Sequence, residues 1–590
     1  MKPIKIPLCC IVKDDTEAKQ LEAMLDTIQP YVDGVYLTVT NENTPKIDDL
    51  AKRRGIHLSR FKWIDDFSAA RNFNFSQAPQ DADYILWCDA DDLWIGGDMV
   101  KEVARITKEA GFDVVFFTYW YACTFNGQPS LDSVASVDIQ HLRERLIRPG
   151  TNTWKGRLHE TPVPVDGVKM RYTSYAYSKE QPVCVVHTAT DDILPAKMER
   201  NKRILEAQLE EERSKGEADP RTLLYLAKIY AENGTKEEMA KVLVMGEEYL
   251  AKSGWDEERG VCWEQMGICH AKLGNEREAA RAFHNAIQEW PHQPLFYLRL
   301  AQSYYNLKLY RQSQHWLEIG MRVEIDDKSG NLVNYKAMKL MASELLLNLE
   351  YNVRKNVDKA VEAAKLVYRE NPTENNLQNL NFLQDLKDLN QACLHADKLA
   401  EYLDSIGQKD RIIPLLDQLP QAITSQPFAV RLRHRYANPR KWGDNEICYF
   451  ANFGQKHFEQ WDPTSLNKGI GGSETAVIRL AQEWTRLGYK VTVYGDPIKS
   501  GDYDGVTYLP WYHFNPKDRF NIFIQWRNWR LAGEVKARKF YVDLHDVWNG
   551  VDVGQEQLKH IDAFMVKSKF HRDLAPNIPD YKFKIISNGI

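Results

Sequence analysis

At 590 residues the chain exceeds what one hydrophobic core supports, and at roughly 150 residues per domain it reads as three or four domains. Hydrophobic residues make up 43% and charged residues 27%, a globular composition that excludes a disordered or membrane-embedded chain, and a net charge of -5 excludes a global pull toward nucleic acid or anionic lipid. Nine cysteines without a CxxC pair exclude a disulfide framework or a zinc site. They fit a reducing compartment. No run of about 18 apolar residues occurs and the apolar stretch near Met1 is too short for a signal peptide, so the expected location is the cytoplasm, of a bacterium or of a phage-infected host.

Residues 5 to about 190 alternate between strand and helix signals. Ile6–Val12 is an apolar run, Asp15–Ile28 has helical periodicity, Gly34–Thr40 is a β-branched strand, and Ile47–Arg54 is a short helix stopped by Gly55. Ile56–Ile64 is a third strand, Ser68–Ala78 a helix and Tyr84–Cys88 a fourth strand. Polar residues follow each strand: Lys13, Asp14 and Asp15; Asn41, Glu42 and Asn43; Asp65 and Asp66; Asp89 and Asp91. Ligands of open α/β sheets sit beyond strand C-termini, so this is a nucleotide-binding layout. The stretch YILWCDADDLW is its centre. An unalternating apolar run reads as a strand covered on both faces, and it delivers Asp89, Asp91 and Asp92 at its carboxyl end. Such carboxylates suit a hard divalent cation; the competing reading is an acidic turn that caps the next helix, and for Asp92 a helix-capping or supporting role is expected.

The segments IVKDD, WIDDFSAARN and CDADDLW, in this order and spacing, resemble the N-terminal half of a family 2 glycosyltransferase of the GT-A fold, and within it the branch that includes bacteriocin-glycosylating enzymes. The resemblance implies that Asp89 and Asp91 hold Mn²⁺ or Mg²⁺ on the diphosphate of a nucleotide sugar, a UDP-sugar being expected. It also implies that Arg71 contacts the nucleotide, with Lys13, Asp14 and Asn41 at the neighbouring strand ends. VTNENT departs from the family where an aspartate usually meets the base. Further on, RLIRPGTNTWKGRLHETPV carries Trp154, Gly156, His159 and Glu160, and QPVCVVHTAT ends a β-rich run in His187. In the resembling family the first segment lies near the acceptor and a His after the last strand completes the metal site, which makes Asp89, Asp91 and His187 a candidate triad. Glu160, or else His159, is the candidate base for an acceptor hydroxyl, and inversion is the expected stereochemistry.

From about 195 to 435 helices take over. CWEQMGICHAKLGNEREAARAFHNAIQEWP places Trp263, Met266, Gly267, Ala279, Phe283, Ala286 and Pro291 at tetratricopeptide-repeat spacings. Similar sets recur from Tyr297 to Gly320, from Leu223 to Gly246 and, more loosely, around Met341 to Pro372. Stacked helix pairs of this kind form a superhelix whose face suits a partner or a homodimer. From 436 the alternation returns. Gly471, Gly472, Ser473 and Glu474 open a helix, His545 ends a strand, and Ser587–Gly589 lies close to the end of the chain at Ile590. These pieces resemble the N-terminal Rossmann-like domain of family 4 glycosyltransferases of the GT-B fold, which implies half of an active site.

The expected architecture is therefore multidomain: a GT-A α/β domain over 1–195, an all-α tetratricopeptide-like array over 196–435, and the Rossmann-like half of a GT-B fold over 436–590. The expected activity is metal-dependent transfer of a hexose or pentose to an acceptor held by the array and the C-terminal domain. One alternative is a scaffold with vestigial transferase domains. The acceptor alternatives are protein, glycan or a modified DNA base of a phage, for which the basic run RLRHRYANPRKW at 431–442 is the nucleic-acid signal.

Overall fold

The computed structural model describes residues 3–128, 130–188, 194–326, 329–451, 460–546, 548, 550 and 552–587. They form two compact units, Met1–Leu383 and Gln384–Ile590.

The first unit is built on a ten-stranded mixed sheet. Its strands are β1 (Leu8–Val12), β2 (Val35–Val39), β3 (His57–Arg60), β4 (Ile85–Asp89), β5 (Asp92–Ile95), β6 (Val114–Phe125), β7 (Val134–Ile147), β10 (Tyr172–Tyr175), β11 (Cys184–His187) and β12 (Val333–Asn334), while β8 (Asn152–Lys155) and β9 (Thr161–Pro164) pair separately. The order is β3-β2-β1-β4-β7-β6-β11-β5, with β10 on β6 and β12 on β7. β1 runs parallel to β2 and to β4, and β2 parallel to β3, so their carboxyl ends share one edge. In β4 only Asp89 escapes full burial, as an apolar run bounded by a charge dictates.

The helices α1 (Ala18–Ile28), α2 (Pro45–Arg54), α3 (Phe67–Gln77) and α4 (Val100–Glu109) connect these strands. Pro45 sits in the first turn of α2 and Gly55 closes it at φ +67°, while Asp66 caps α3 by accepting the Ala69 amide at 2.9 Å. The acidic turn does not cap a helix: Asp92 opens β5, and α4 starts eight residues later.

Helix pairs follow: Pro220–Asn233 with Lys236–Lys252, Asp256–Lys272 with Glu276–Glu289, and Pro294–Asn306 with Tyr310–Gly320. The preceding helix, Leu194–Ser214, fastens the array to the sheet domain, since Asp65 pairs with Arg203 at 2.9 Å and Arg157 pairs with Glu211. Later, β12 adds to β7 opposite Gln140 and Ile139, and Gln140 Nε2 donates to the Tyr335 hydroxyl at 2.8 Å. Within this unit these contacts tie the helical array to the sheet domain.

The second unit carries an eight-stranded sheet: β13 (Glu446–Phe450), β14 (Lys490–Gly495), β15 (Gly501–Tyr503), β16 (Val506–Pro510), β17 (Arg519–Trp526), β18 (Lys536–Asp543), β19 (Ala563–Val566) and β20 (Phe583–Ile585), in the order β15-β16-β14-β13-β17-β18-β19-β20. All pairings are parallel except β15 with β16. The helix Gly472–Arg486 follows Gly471, which supplies its N-cap. Of the SNG segment, Asn588 and Gly589 lie outside the described residues. Three arginines of the basic run pair with carboxylates elsewhere in this unit: Arg433 meets Asp417 at 2.6 Å, Arg435 meets Asp404 at 3.5 Å, and Arg440 meets Glu446 at 3.3 Å.

Candidate functional site

Strand register assembles the acidic cluster. β11 runs antiparallel to β5 with His187 opposite Asp92, and both the amide and the hydroxyl of Thr188 donate to the Asp91 carbonyl at 2.8 Å. His187 Nδ1 consequently lies 3.4 Å from Asp91 Oδ1 and 3.5 Å from Asp92 Oδ1. The Tyr121 ring stacks on the imidazole at 5.5 Å and 3°. Burial alone would push the His187 pKa down, but the two carboxylates outweigh it and raise it.

Asp92 is fully buried with both oxygens engaged. Oδ2 accepts the Asp89 amide at 3.0 Å and faces Arg145 Nη2 at 2.8 Å, and Oδ1 accepts the Tyr119 hydroxyl at 2.9 Å. Against the effect of burial, Arg145 and His187 hold its carboxyl well below the ordinary range.

Asp91, Asp92 and His187 each offer a ligand atom, all within 4.8 Å of one another. His187 Nδ1 is buried and makes no hydrogen bond. Once its proton is displaced, that nitrogen together with the carboxylates would make a donor set that fits Mn²⁺ or Mg²⁺. Asp89, expected in that triad, sits beside it: its side chain is 44% exposed and Oδ1 lies 3.4 Å from Arg71 Nη2.

Arg71, on α3, is buried, and its Nε and Nη2 reach the same oxygen of Glu160, Oε1, at 2.9 and 2.7 Å. Its guanidinium lies 3.9 Å from the Trp87 ring centroid and 5.0 Å from that of Trp154. Asn72 holds Trp154 in place from the same helix, accepting its amide at 2.8 Å and donating to its carbonyl at 2.9 Å. Glu160 is buried and immediately precedes β9. His159 adopts φ +54° and turns away from that pair to stack on Tyr225 of the helical array, ring centroids 3.9 Å apart. Desolvation in the stack, then Lys228 and Arg143, push the His159 pKa down, an effect that solvent weakens because the residue is exposed.

The other expected nucleotide contacts lie at the ends of β1 and β2. Lys13 is exposed, with its ammonium 3.7 Å from Asp14, and its amide donates to Glu17 at 2.7 Å. Asp14 caps the turn Asp15–Glu17 through the Thr16 amide. Asn41 is exposed, and its carbonyl accepts from Arg60 at 2.9 Å.

Residues to which the sequence reading gives no role complete the surroundings. Glu17 faces the cluster: burial, then repulsion from Asp91, Asp14 and Asp89, push its carboxyl up to about 7 against the Lys13 amide. Tyr119 lies on β6, and Arg143 and Arg145 on β7. The local signal for the two arginines is Leu142-Arg-Glu-Arg-Leu146, three consecutive charges between leucines near the end of a strand.

Residues 11–176 match the model of glycosyl transferase family 2, which supports glycosyltransferase chemistry in the sheet domain. A TPR repeat-containing protein of Synechococcus elongatus is 38% identical over 90 residues, 15% of this chain and 21% of its own length, so the chain spans about a fifth of the curated relative it matches. Among solved structures, pilF of Pseudomonas aeruginosa is similar at 15% identity and TM-score 0.25, over 32% of this chain and 75% of that one. A tetratricopeptide repeat protein from Parabacteroides merdae is similar at 13% identity and TM-score 0.22, over 42% and 81%. No helix among the described residues is long and apolar enough to cross a membrane.

Proposed function

We propose that the N-terminal domain, over 1–195, is a metal-dependent glycosyltransferase that moves a hexose or pentose from a nucleotide sugar, a UDP-sugar being the expected donor, to an acceptor nucleophile with inversion. One observation carries the reading: the carboxylates of Asp91 and Asp92, at a strand end within the stretch that matches the family model, face the buried Nδ1 of His187, which follows that stretch in the chain. Asp91 and His187, with Asp89 or Asp92, would hold Mn²⁺ or Mg²⁺. The bound cation supplies charge neutralisation as the nucleoside diphosphate leaves.

The chain's own groups do the rest. Arg145 and Tyr119 fix Asp92 and with it the loop that carries Asp91. Arg71 orients Glu160 through Oε1 alone, which leaves Oε2 to take the proton of the attacking acceptor. His159, on Tyr225, shapes the acceptor side. Lys13, Asp14 and Asn41 edge the nucleotide. The array over 196–435 and the C-terminal domain over 436–590, read as the Rossmann-like half of a GT-B fold from its parallel order about β13 and its Gly471–Gly472 helix start, present the acceptor or a partner.

Release of nucleoside diphosphate from a panel of nucleotide sugars, followed by chromatography, tests this. Wild type is expected to release it with Mn²⁺ and not with EDTA, and Asp91→Ala to fall to background. Full activity in that variant, with EDTA harmless, would sink the reading. Mass spectrometry of candidate acceptors then names the sugar and the acceptor class from one mass increment.

A further inference from the structure

The hairpin that leads into Glu160 has little support of its own. β8 and β9 form a two-stranded sheet apart from the ten-stranded one, with Lys155 opposite Thr161, and a two-stranded hairpin is marginally stable in water unless it packs on something. The sheet domain holds it at Trp154 through Asn72. Its tip, from Gly156 to Glu160, is seated instead on the helices Leu194–Ser214 and Pro220–Asn233. The Arg157 amide donates to Gln208 Oε1 at 3.0 Å, and Gln208 is fixed in turn by donating to Glu212 at 2.8 Å and to the Thr222 hydroxyl at 2.7 Å. Leu158 is buried in one apolar cluster with Ile204, Leu205 and Leu209. His159 stacks on Tyr225 with the two rings 10° from parallel. The same cluster reaches the partner of Glu160: Phe67 packs against it and donates its amide to the Arg157 carbonyl at 2.9 Å, and Arg71 follows one turn later on α3.

The backbone of the tip shows which side fixes it. Gly156 and His159 take φ +97° and +54°. A residue other than glycine persists in that region only where its surroundings over-determine it. For His159 those surroundings are Tyr225 beside its own ring and the apolar cluster around Leu158, both supplied by the helices and not by the sheet. The acidic cluster, by contrast, is held by Arg145, Tyr119 and Thr188 of the sheet domain. We propose that these two helices are a working part of the transferase site: Gln208 and Tyr225 are positioning residues that hold the hairpin tip and so set where Glu160 meets the proton of the acceptor. The inference rests on the glycosyltransferase reading with Glu160 as base, and it separates two functions in space, with the donor held by the sheet domain and the base placed by the helical array.

Tyr225→Leu, Gln208→Leu and the conservative Tyr225→Phe, each in the full chain, test this with three readouts: hydrogen exchange of residues 156–160, calorimetric titration with UDP in Mn²⁺, and steady-state release of nucleoside diphosphate from the nucleotide sugar that wild type turns over. In both leucine variants exchange at 156–160 is expected to quicken about tenfold or more while that at 85–92 stays unchanged. UDP affinity and the KM for the nucleotide sugar should stay within about twofold, and kcat should fall by about tenfold or more, as displacement of a proton-accepting group requires. Tyr225→Phe, which keeps the ring, should match wild type throughout. Unchanged exchange at the tip overturns the proposal, as does faster exchange with kcat intact. UDP affinity that falls in step with kcat overturns it too, by showing a general disturbance of the site, and so does a Tyr225→Phe variant as impaired as Tyr225→Leu. Wild type that neither binds UDP with Mn²⁺ nor releases nucleotide overturns the underlying reading instead, a result distinct from any in the exchange readout.

Discussion

Arg71 is the residue on which the candidate site turns, because its charge is almost wholly removed from water and its balance comes from Glu160 at 2.7 Å and, more distantly, Asp89 at 3.4 Å. Removing one partner of such a pair costs more than removing both, since the survivor stays buried and charged. Arg71→Met is therefore expected to lower the unfolding free energy by about 3–5 kcal/mol. The double variant Arg71→Met/Glu160→Gln should be more stable than the single one. Urea midpoints measured by tryptophan fluorescence check both, and a double variant no better than the single would show that packing against Trp87 dominates. The family resemblance singles out Arg71, Asp89, Asp91, Glu160 and His187, and the structure puts Arg71 against Glu160 and Asp89, and His187 against Asp91. Asp92 is legible as a supporting carboxylate, but its partners Arg145 and Tyr119 are not. Their roles depend on which strand lies beside β5 and on β7 bringing a charge into the interior, and the run of charges from Arg143 to Arg145 marks β7 without telling which of them is buried against β5.

Elements divide along the same line. The parallel strands β1, β2 and β4 are apolar runs with polar ends, and their helices carry caps, so each is visible locally. The hairpin of β6 and β7 is long and carries register shifts at four places, which blurs the alternation that would reveal it. The hairpin of β15 and β16 did have a signal: Asp504 and Gly505 take φ +51° and +82° between alternating residues, the turn that joins two antiparallel strands. In the helical array the repeat spacing corresponds to a packing rule. A Cβ built on Gly267 would meet the Phe283 ring at 2.5 Å, so the small residue lets the paired helices approach. Gly267→Ala gains about 1 kcal/mol of helix propensity and forces an overpacked contact that costs about 1–3 kcal/mol, so net destabilisation is expected. Gly254→Ala, with nothing within 4 Å, should be near neutral. Thermal unfolding of both variants discriminates, and equal midpoints would mean the ring simply rotates away.

At the scale of the molecule, each of the two units places a buried carboxylate at a strand terminus and matches it with a cation from a neighbouring element: Asp92 with Arg145 in the first, Asp543 with Lys567 in the second. Asp543 ends β18, accepts from the Tyr449 hydroxyl, and lies 3.1 Å from His545 Nε2 and 2.6 Å from Lys567 Nζ. Burial would raise its pKa, but His545 and Lys567 together hold it below the ordinary value. The sign of the linkage follows. A depressed folded-state pKa means that the unfolded chain binds the proton first, so the stabilisation is complete above the unfolded value of about 3.9 and disappears as pH falls through the lower folded one. Asp543→Asn cannot titrate and leaves Lys567 without its counter-charge. It should therefore be less stable than wild type at pH 7, by about 3 kcal/mol at this degree of burial. The gap should start to narrow as pH falls below about 4 and close only below the folded-state pKa, as wild type loses the same contribution. Urea unfolding at a series of pH values from 7 to 3 measures it, and a gap that stays constant across the series would mean that Asp543 acts through shape and hydrogen bonding rather than through its charge.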